Sequence, residues 1–346
     1  MLNRFAMALV LAAGLGLVGC NGGDNSASST TGSTGASGGT TGTTGKTYTI
    51  AVIPKGSTHE FWKAVHAGAN DAGAKFGASI DFNGPHLEND RSSQQDMVEN
   101  VANGNADAIV LAPLDSKALV KPVQAAIDKK KPVVIIDSAL DSTGPASFVA
   151  TDNEKGGSMA ADEMIKRLNS KGSIVVLRYG TNSASTEARE KGFEDEIKAK
   201  APGITIVNDK LEAGPTIESA QKSSENLLQP LKGPDGKLKI NGIFCPNESS
   251  TAGMLLTLKE NKWAGTVTFM GFDSSAQLID GLKAGFIDGL ILQNPYKIGY
   301  EGVHQAIRAL KADPKDPVEP KIDTGATLIT KDNMDANKDL LSPKQA

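Results

Sequence analysis

The sequence predicts an α/β fold: two lobes, each a doubly wound parallel sheet. Three observations carry this. Apolar strand-like runs alternate with amphipathic helical stretches along almost the whole chain after residue 48. The strand runs are built from Val, Ile and Ala, and aromatics make up only 5% of the chain, which suits strands buried on both faces. About ten such strands are present, more than one doubly wound sheet holds comfortably. A first crossing between lobes is therefore expected near Thr151.

The clearest unit is Thr266 to Pro295. Val267 to Phe272 is an apolar run that stops at Asp273. Ser274 and Ser275 can cap a helix, whose apolar face is Ala276, Ile279 and Leu282, and Gly285 ends it. A second run, Ile287 to Leu292, ends in the polar pair Gln293-Asn294. Both strands thus end in polar side chains, and open parallel sheets bind ligands at those ends.

In chain order, Tyr48 to Ile53 reads as the first strand. It is followed by "PKGSTHEFW" and a helix with Phe61, Val65, Ala69, Ala72 and Phe76 on one face, closed by Gly77. Strands are predicted at Ser79 to Asn83, Ala106 to Pro113, Lys131 to Ser138 and Ala146 to Asn153, with helices at Asp90 to Asn103 and Ser116 to Lys130 between them. The pattern then restarts. Helices are predicted over Lys155 to Leu168, Thr186 to Lys200, Thr216 to Leu228, Ser249 to Asn261 and Tyr296 to Ala312. The intervening strands include Gly172 to Gly180 and Ile240 to Asn247. After residue 312 the chain reads as loose, with one further possible strand at Gly325 to Thr330.

Residues 1–19 read as a bacterial secretory signal: Arg4, a short apolar stretch, then Gly19-Cys20. Leu17 to Cys20, "LVGC", resembles a lipobox, so Cys20 is expected to be acylated and to anchor the protein to a membrane. Residues 20–47 are nearly all Ser, Thr, Gly, Ala and Asn and read as a flexible tether. The formal charge of −4 and the lack of a basic tract argue against nucleic acid as a partner. Cys20 and Cys245 lie in contexts too different for a disulfide framework or a metal site. The four histidines have no metal spacing, and no nucleophile elbow, phosphate loop or zinc-protease motif occurs. Neither metal, cofactor nor catalytic residue is therefore expected.

Polar and aromatic residues punctuate the strand ends: Phe61 and Trp62, Asp137, Asn247, Asp273 and Gln293, with Arg178 or Arg189 as a possible guanidinium. Planar amides, carboxylates and guanidinium make paired hydrogen bonds to adjacent hydroxyls, and aromatic faces cover the C–H face of a ring. The set suits a neutral polyhydroxylated molecule in a cleft. Taken singly, each has a plainer reading. A strand-end Asp is as often a cap or turn residue. Adjacent helical positions diverge by about 100°, so one of Phe61 and Trp62 is expected to face inward. Arg189 alone reads as a structural ion pair.

At these residues the chain resembles the periplasmic sugar-binding proteins of ABC importers, of the ribose-binding type. The resemblance spans roughly residues 48–330 and rests on ordered blocks, among them "IAVIPKGSTHEFWKAVHAGANDAGAKFG", "PVVIIDS", "VATDNEKGG", "STEAREKGF", "GIFCPNESSTAGML", "MGFDSS" and "LILQNPYKIGYEGV". It implies two lobes joined by three hinge crossings, residues 48–151 with 294–320 in one and 152–293 with 321–335 in the other, and a tail at 336–346. It also implies that Phe61, Trp62, Asp137, Asn247, Asp273, Gln293 and Arg189 contact a sugar, with Phe272 the aromatic preceding the Asp. The expected partners are a sugar or polyol and an ABC permease, and the expected state is a monomer. Three departures stand out. Ser138 follows Asp137 where the ribose type has arginine, and Glu187 stands near where it has a second arginine. The loop after the first strand is one residue longer and brings in Lys55 and His59. A pocket rebuilt for a sugar or polyol other than ribose is expected. The alternative roles are a ligand-occupancy sensor for a membrane kinase or chemoreceptor, and a secreted sugar-acting enzyme using Asp137 with Asp273 or Glu187.

Overall fold

The computed structural model describes residues 47–346. Chain order gives β1 (Tyr48–Ile53), α1 (Glu60–Phe76), β2 (Ala78–Phe82), α2 (Arg91–Asn103), β3 (Ala108–Leu111), α3 (Val120–Asp128), β4 (Val133–Ile136) and β5 (Ser147–Ala150). The pattern repeats in α4 (Asn153–Arg167), β6 (Gly172–Val176), α5 (Ala184–Lys200), β7 (Ile204–Asn208), α6 (Ile217–Leu228), β8 (Gly242–Phe244), α7 (Glu248–Glu260), β9 (Thr268–Phe272), α8 (Ala276–Lys283) and β10 (Gly289–Gln293). The chain closes with α9 (Pro295–Lys311), β11 (Lys321–Asp323), β12 (Ala326–Ile329) and α10 (Lys338–Leu341).

Two six-stranded sheets result, ordered β11-β5-β4-β3-β1-β2 and β12-β10-β9-β8-β6-β7. The orders correspond strand for strand, so each lobe repeats the other's plan. All pairings are parallel except β10 with β12. The central strands β3, β4, β8 and β10 are buried along their whole length. Each sheet carries an apolar cluster on either face, Ile50–Val110–Ile298 and Ile109–Val123–Ile135 in the first lobe, Ile243–Leu255–Leu290 and Ile174–Phe193–Ile291 in the second.

The chain crosses between lobes at Thr151-Asp152, at Asn294 and at Thr324-Gly325. Side chains brace the hinge strands. Asp152 N–H donates to Asp323 Oδ1 at 3.1 Å, and Thr151 Oγ1 donates to the Gly325 carbonyl at 3.4 Å. The third crossing lies later than expected. Lys321–Asp323 pairs with β5 in the first sheet, so it does not belong to the second lobe. This exposed edge strand alternates charge with a single Ile and carries no apolar run that sequence reasoning could read. Nor is the end of the chain loose. Met334 and Leu341 sit in the second lobe's core. Beyond them Lys344 Nζ reaches Asp71 at 2.5 Å, Gln345 Nε2 donates to Glu60 at 2.6 Å and Ala346 N–H donates to the Lys63 carbonyl at 3.3 Å. All three acceptors lie on α1 of the first lobe.

Glycines set the spacing of the helix pair in each lobe. A Cβ on Gly68 of α1 would lie 1.9 Å from the Tyr296 carbonyl oxygen at the start of α9, and one on Gly299 would lie 2.0 Å from Val65 O. In the second lobe a Cβ on Gly157 of α4 would lie 2.0 Å from Arg189 O, and one on Gly192 of α5 the same distance from Glu154 O. In each lobe the first helix packs on the helix entering from the other lobe. The α4–α5 contact thereby sets the height of Arg189. Gly157→Ala is expected to lower stability by about 1–3 kcal/mol through overpacking, read as a reduced urea midpoint. Gly180→Ala, where a Cβ meets nothing within 4 Å, is the control that stays within about 1 kcal/mol of the parent.

Candidate functional site

The carboxyl ends of the two sheets' strands face each other, and the side chains placed there come from corresponding positions. Asp137 follows β4 and Asp273 follows β9. Both have left-handed backbone, at φ 61° and 65°, which Asp tolerates better than most residues. Each is pinned by a ladder bond, Asp137 N–H to Val149 O at 3.0 Å and Asp273 N–H to Ile291 O at 2.9 Å. The strand thus ends in a sharp turn that presents a carboxylate to the opposite lobe.

Between the lobes lies a small space of about 30 Å³ lined by Lys55, His59, Phe61, Trp62, Glu88, Asp137, Ser185, Thr186, Arg189, Asn247, Asp273 and Gln293. Nine of the residues predicted for the site are therefore brought together. The free volume is about one water's share of the liquid, so a sugar ring enters only if the lobes part. An open groove of about 740 Å³ adjoins it, between the starts of α1 and α8 and the C-terminal segment, and shares Phe61, Asp273 and Gln293 as walls.

Phe61 and Trp62 both line the space, edge to face with ring centroids 4.9 Å apart. One of the pair was expected to face inward; both join the first lobe's core cluster, because the first turn of α1 is enclosed by its own sheet and by the second lobe. Arg189 is 2% exposed. Its Nε donates to Asn153 Oδ1 at 2.8 Å and Nη1 to the Pro246 carbonyl at 2.9 Å, while Nη2 is buried without a partner. It is therefore no ion pair of the ordinary kind. Gln293, 4% exposed, donates from Nε2 to Asp273 Oδ1 at 2.7 Å, and its Oε1 is likewise buried and unpartnered. Asp273 Oδ2 accepts the Glu248 N–H at 3.2 Å. Burial raises the Asp273 pKa, opposed by Arg189 and Gln293 and assisted by Asp137. Asn247 caps α7 by accepting from Ser250 N–H at 3.2 Å, so its capping and lining roles coincide.

Lys55 and His59 line the space, but their donors are taken by protein groups. Lys55 Nζ is 3.0 Å from Asp137 Oδ2 and donates to Ser183 and Ser185 Oγ of the second lobe at 3.2 and 2.9 Å. His59 Nδ1 is 2.8 Å from Glu88 Oε1 and Nε2 is 3.3 Å from the Pro215 carbonyl. Burial opposes charge on His59, but the Glu88 carboxylate outweighs it, and with Glu248 and the Pro215 carbonyl raises its pKa from 6.5 to about 9. Burial would raise Glu88, yet His59, Lys55 and the Trp62 indole hold it near 2.

Two predicted residues lie elsewhere. Phe272 is buried beneath the site, its ring centroid 4.3 Å from the Arg189 guanidinium carbon, because strand alternation sends it away from the face Asp273 presents. It supports Arg189. Glu187 is exposed and accepts the Asn182 N–H at 2.7 Å. Arg178 ties Glu190, Glu194 and Asp209 together and does not line the space. Glu88, Ser185 and Thr186 were not anticipated: Glu88 lies in the loop after β2, and the two hydroxyls sit on the first turn of α5, where no periodic signal marks a residue that lines a cleft. Cys245 is buried with its thiol pKa raised by burial. Among the described residues no group of His, Cys, Asp or Glu is placed to hold a metal ion. Cys20 and the tether lie outside the described residues.

Known proteins place this geometry. A family model described as "Periplasmic binding protein domain" matches residues 50–314. The chain belongs to that family. Its location is accordingly outside the cytoplasm. Among curated relatives, the D-allose-binding periplasmic protein of Escherichia coli is 28% identical over 78% of this chain and 86% of its own length. The xylitol-binding protein of Mycolicibacterium smegmatis is 28% identical over 95% and 86%. Among solved structures, a carbohydrate transporter solute-binding protein from Agrobacterium radiobacter, in complex with D-arabinose, superposes with TM-score 0.80. It shares 35% identity and covers 86% of this chain and 99% of its own. An ABC transporter solute-binding protein from Agrobacterium vitis with bound D-fucose gives 0.79 at 34% identity, over 85% and 100%.

Glu248, across the cleft, accepts the Glu60 and Phe61 N–H groups at 3.2 Å each. Burial raises its pKa from 4.5 to about 7, with His59 opposing and Asp273 adding to the rise. A raised carboxyl pKa means that its contribution to stability is complete below pH 4.5 and is lost as pH rises through 7, roughly 3 kcal/mol in all. The melting temperature in a calorimetric series from pH 5 to 8.5 is expected to fall, and Glu248→Gln is expected to flatten that fall.

Proposed function

We propose that this protein captures a neutral sugar or related polyol between its lobes and delivers it to the permease of an ABC importer. It acts by binding, without chemical conversion. The observation that carries the ligand class is the pair of unpartnered atoms in one buried space, the Arg189 Nη2 donor and the Gln293 Oε1 acceptor. A native protein seldom leaves such groups unsatisfied, and a hydroxyl both accepts from a guanidinium and donates to an amide oxygen. The Asp137 and Asp273 carboxylates accept further hydroxyls, and Phe61 and Trp62 offer faces to the ring's C–H groups. Lining cations Lys55, His59 and Arg189 are matched by Glu88, Asp137 and Asp273, so a neutral solute leaves the buried charge balanced. The sugars and polyols named for its relatives support the same reading.

Closure on the solute requires that it bind the closed form better than the open one, and the crossings at Thr151, Asn294 and Thr324 serve as the hinge. The lipobox-like Leu17 to Cys20 supports acylation at Cys20 and membrane anchoring through the tether.

A thermal-shift screen of the purified protein against pentoses, hexoses, deoxysugars, inositols, linear polyols and amino acids tests this. A ligand at a hundred times its dissociation constant adds about 2.7 kcal/mol to stability. One or more sugars or polyols are expected to raise the melting temperature. Arg189→Lys and Gln293→Leu are each expected to weaken that sugar's binding at least tenfold by calorimetry, since each leaves a buried hydroxyl unpaired (roughly 1–3 kcal/mol). A response confined to amino acids, or none from any sugar or polyol, would overturn the assignment.

A further inference from the structure

Glu88 sits at a junction that the capture of a sugar does not require. Its Oε1 receives the Trp62 indole N–H at 2.5 Å and faces His59 Nδ1 at 2.8 Å. Its Oε2 receives the Tyr179 hydroxyl at 2.8 Å. Trp62, His59 and Glu88 belong to the first lobe, from α1, the loop before it and the loop after β2. Tyr179 and Pro215, the second partner of His59, belong to the second, from the loops after β6 and β7. All four side chains are buried. Both His59 ring nitrogens and both Glu88 oxygens are engaged by protein groups, so no polar atom of this cluster waits for a solute.

Parting the lobes breaks two of these contacts, Tyr179–Glu88 and His59–Pro215, and leaves His59–Glu88–Trp62 intact within the first lobe. Charge assists both broken bonds, which makes them stronger than neutral pairs. We infer that Glu88, His59 and Tyr179 form an inter-lobe clasp in which Glu88 is a positioning residue, favouring closed lobes before any solute binds and joining the second lobe to the group that holds the Trp62 indole.

The surroundings give the clasp a pH sense. Glu88 faces His59 from the first lobe, with Lys55 acting on Glu88; Glu248 and Asp273 face it from the second, and Asp137 acts on Tyr179. The Pro215 carbonyl and the Glu248 carboxylate raise the His59 pKa only when the lobes are together. Their share of the closing preference is present while His59 is protonated and is lost as pH climbs through about 9. Ionisation of Glu248 near pH 7 works the same way, because its raised pKa marks a preference for the protonated form when buried. Closure weakens with rising pH on both counts.

The test uses the purified protein with no solute, so it does not depend on which ligand the cavity takes. Small-angle X-ray scattering from pH 6 to 10 measures lobe separation. Fluorescence in a Trp263→Phe background reports Trp62 alone, since the chain has two tryptophans. The unliganded parent is expected to scatter as a compact particle at pH 6 and to expand towards pH 10. Tyr179→Phe keeps the ring and removes only the hydroxyl. It is expected to raise the open-to-closed ratio about tenfold, as the loss of a hydrogen bond to a charged group implies, and to red-shift Trp62 emission. Glu88→Gln is expected to open the protein and remove the transition near pH 9, and Glu248→Gln to remove only the one near 7. The clasp is overturned if the unliganded parent is as open as Tyr179→Phe at pH 6. It is overturned equally if Tyr179→Phe, folded by its cooperative melt, matches the parent in scattering and emission at every pH.

Discussion

Two strand ends held in left-handed backbone, at Asp137 and Asp273, govern the geometry of the cleft. A strand that simply continued would carry its next side chain past the sheet edge into a loop. The turn at positive φ instead halts the strand at once and projects a carboxylate toward the facing lobe. Such a conformation costs about 1–3 kcal/mol at a residue other than glycine, and the ladder bonds to Val149 O and Ile291 O help to hold it. The two lobes share one strand order, so the device occurs twice and the two acids meet across a single space. Arg189, Gln293 and the aromatic pair are arranged around them.

The buried ions explain how the site departs from the ribose type. Ser138 Oγ accepts the Ser185 N–H at 3.0 Å from across the cleft, so the residue standing where an arginine was expected ties lobe to lobe. Lys55 spans the same gap to two serines. Lys55 and, through its contact with the Pro215 carbonyl, His59 thus hold protein to protein, and one guanidinium, Arg189, has capacity to spare. On the proposed reading, a cavity with fewer free cations relies more on carboxylates and amides to read hydroxyl geometry, and less on charge.

Most of the architecture was legible because parallel strands buried on both faces must be written as apolar runs, and helices between them must carry one apolar stripe. The strand-end residues followed from where such sheets bind ligands. Reading faltered where position depends on three-dimensional neighbours. β11 reads as loop because an exposed edge strand needs no apolar run. Phe272 and Asp273 are adjacent in sequence but face opposite ways. Glu88 gains its role from His59, Trp62 and Tyr179, the last of them 91 residues away, and nothing local marks it. Met334 and Leu341 are too isolated to announce that the tail is docked.

That docked tail changes the mechanics of the hinge. Three covalent crossings along one edge act as a strip, which can both bend and twist. The C-terminal segment joins the lobes a fourth time, with Leu341 set in one core and Lys344, Gln345 and Ala346 fastened to α1 of the other lobe. Because these attachments lie away from the crossings, beside the groove at the starts of α1 and α8, a parting of the lobes must stretch or release them. The end of the chain thereby shares in setting how far the lobes part.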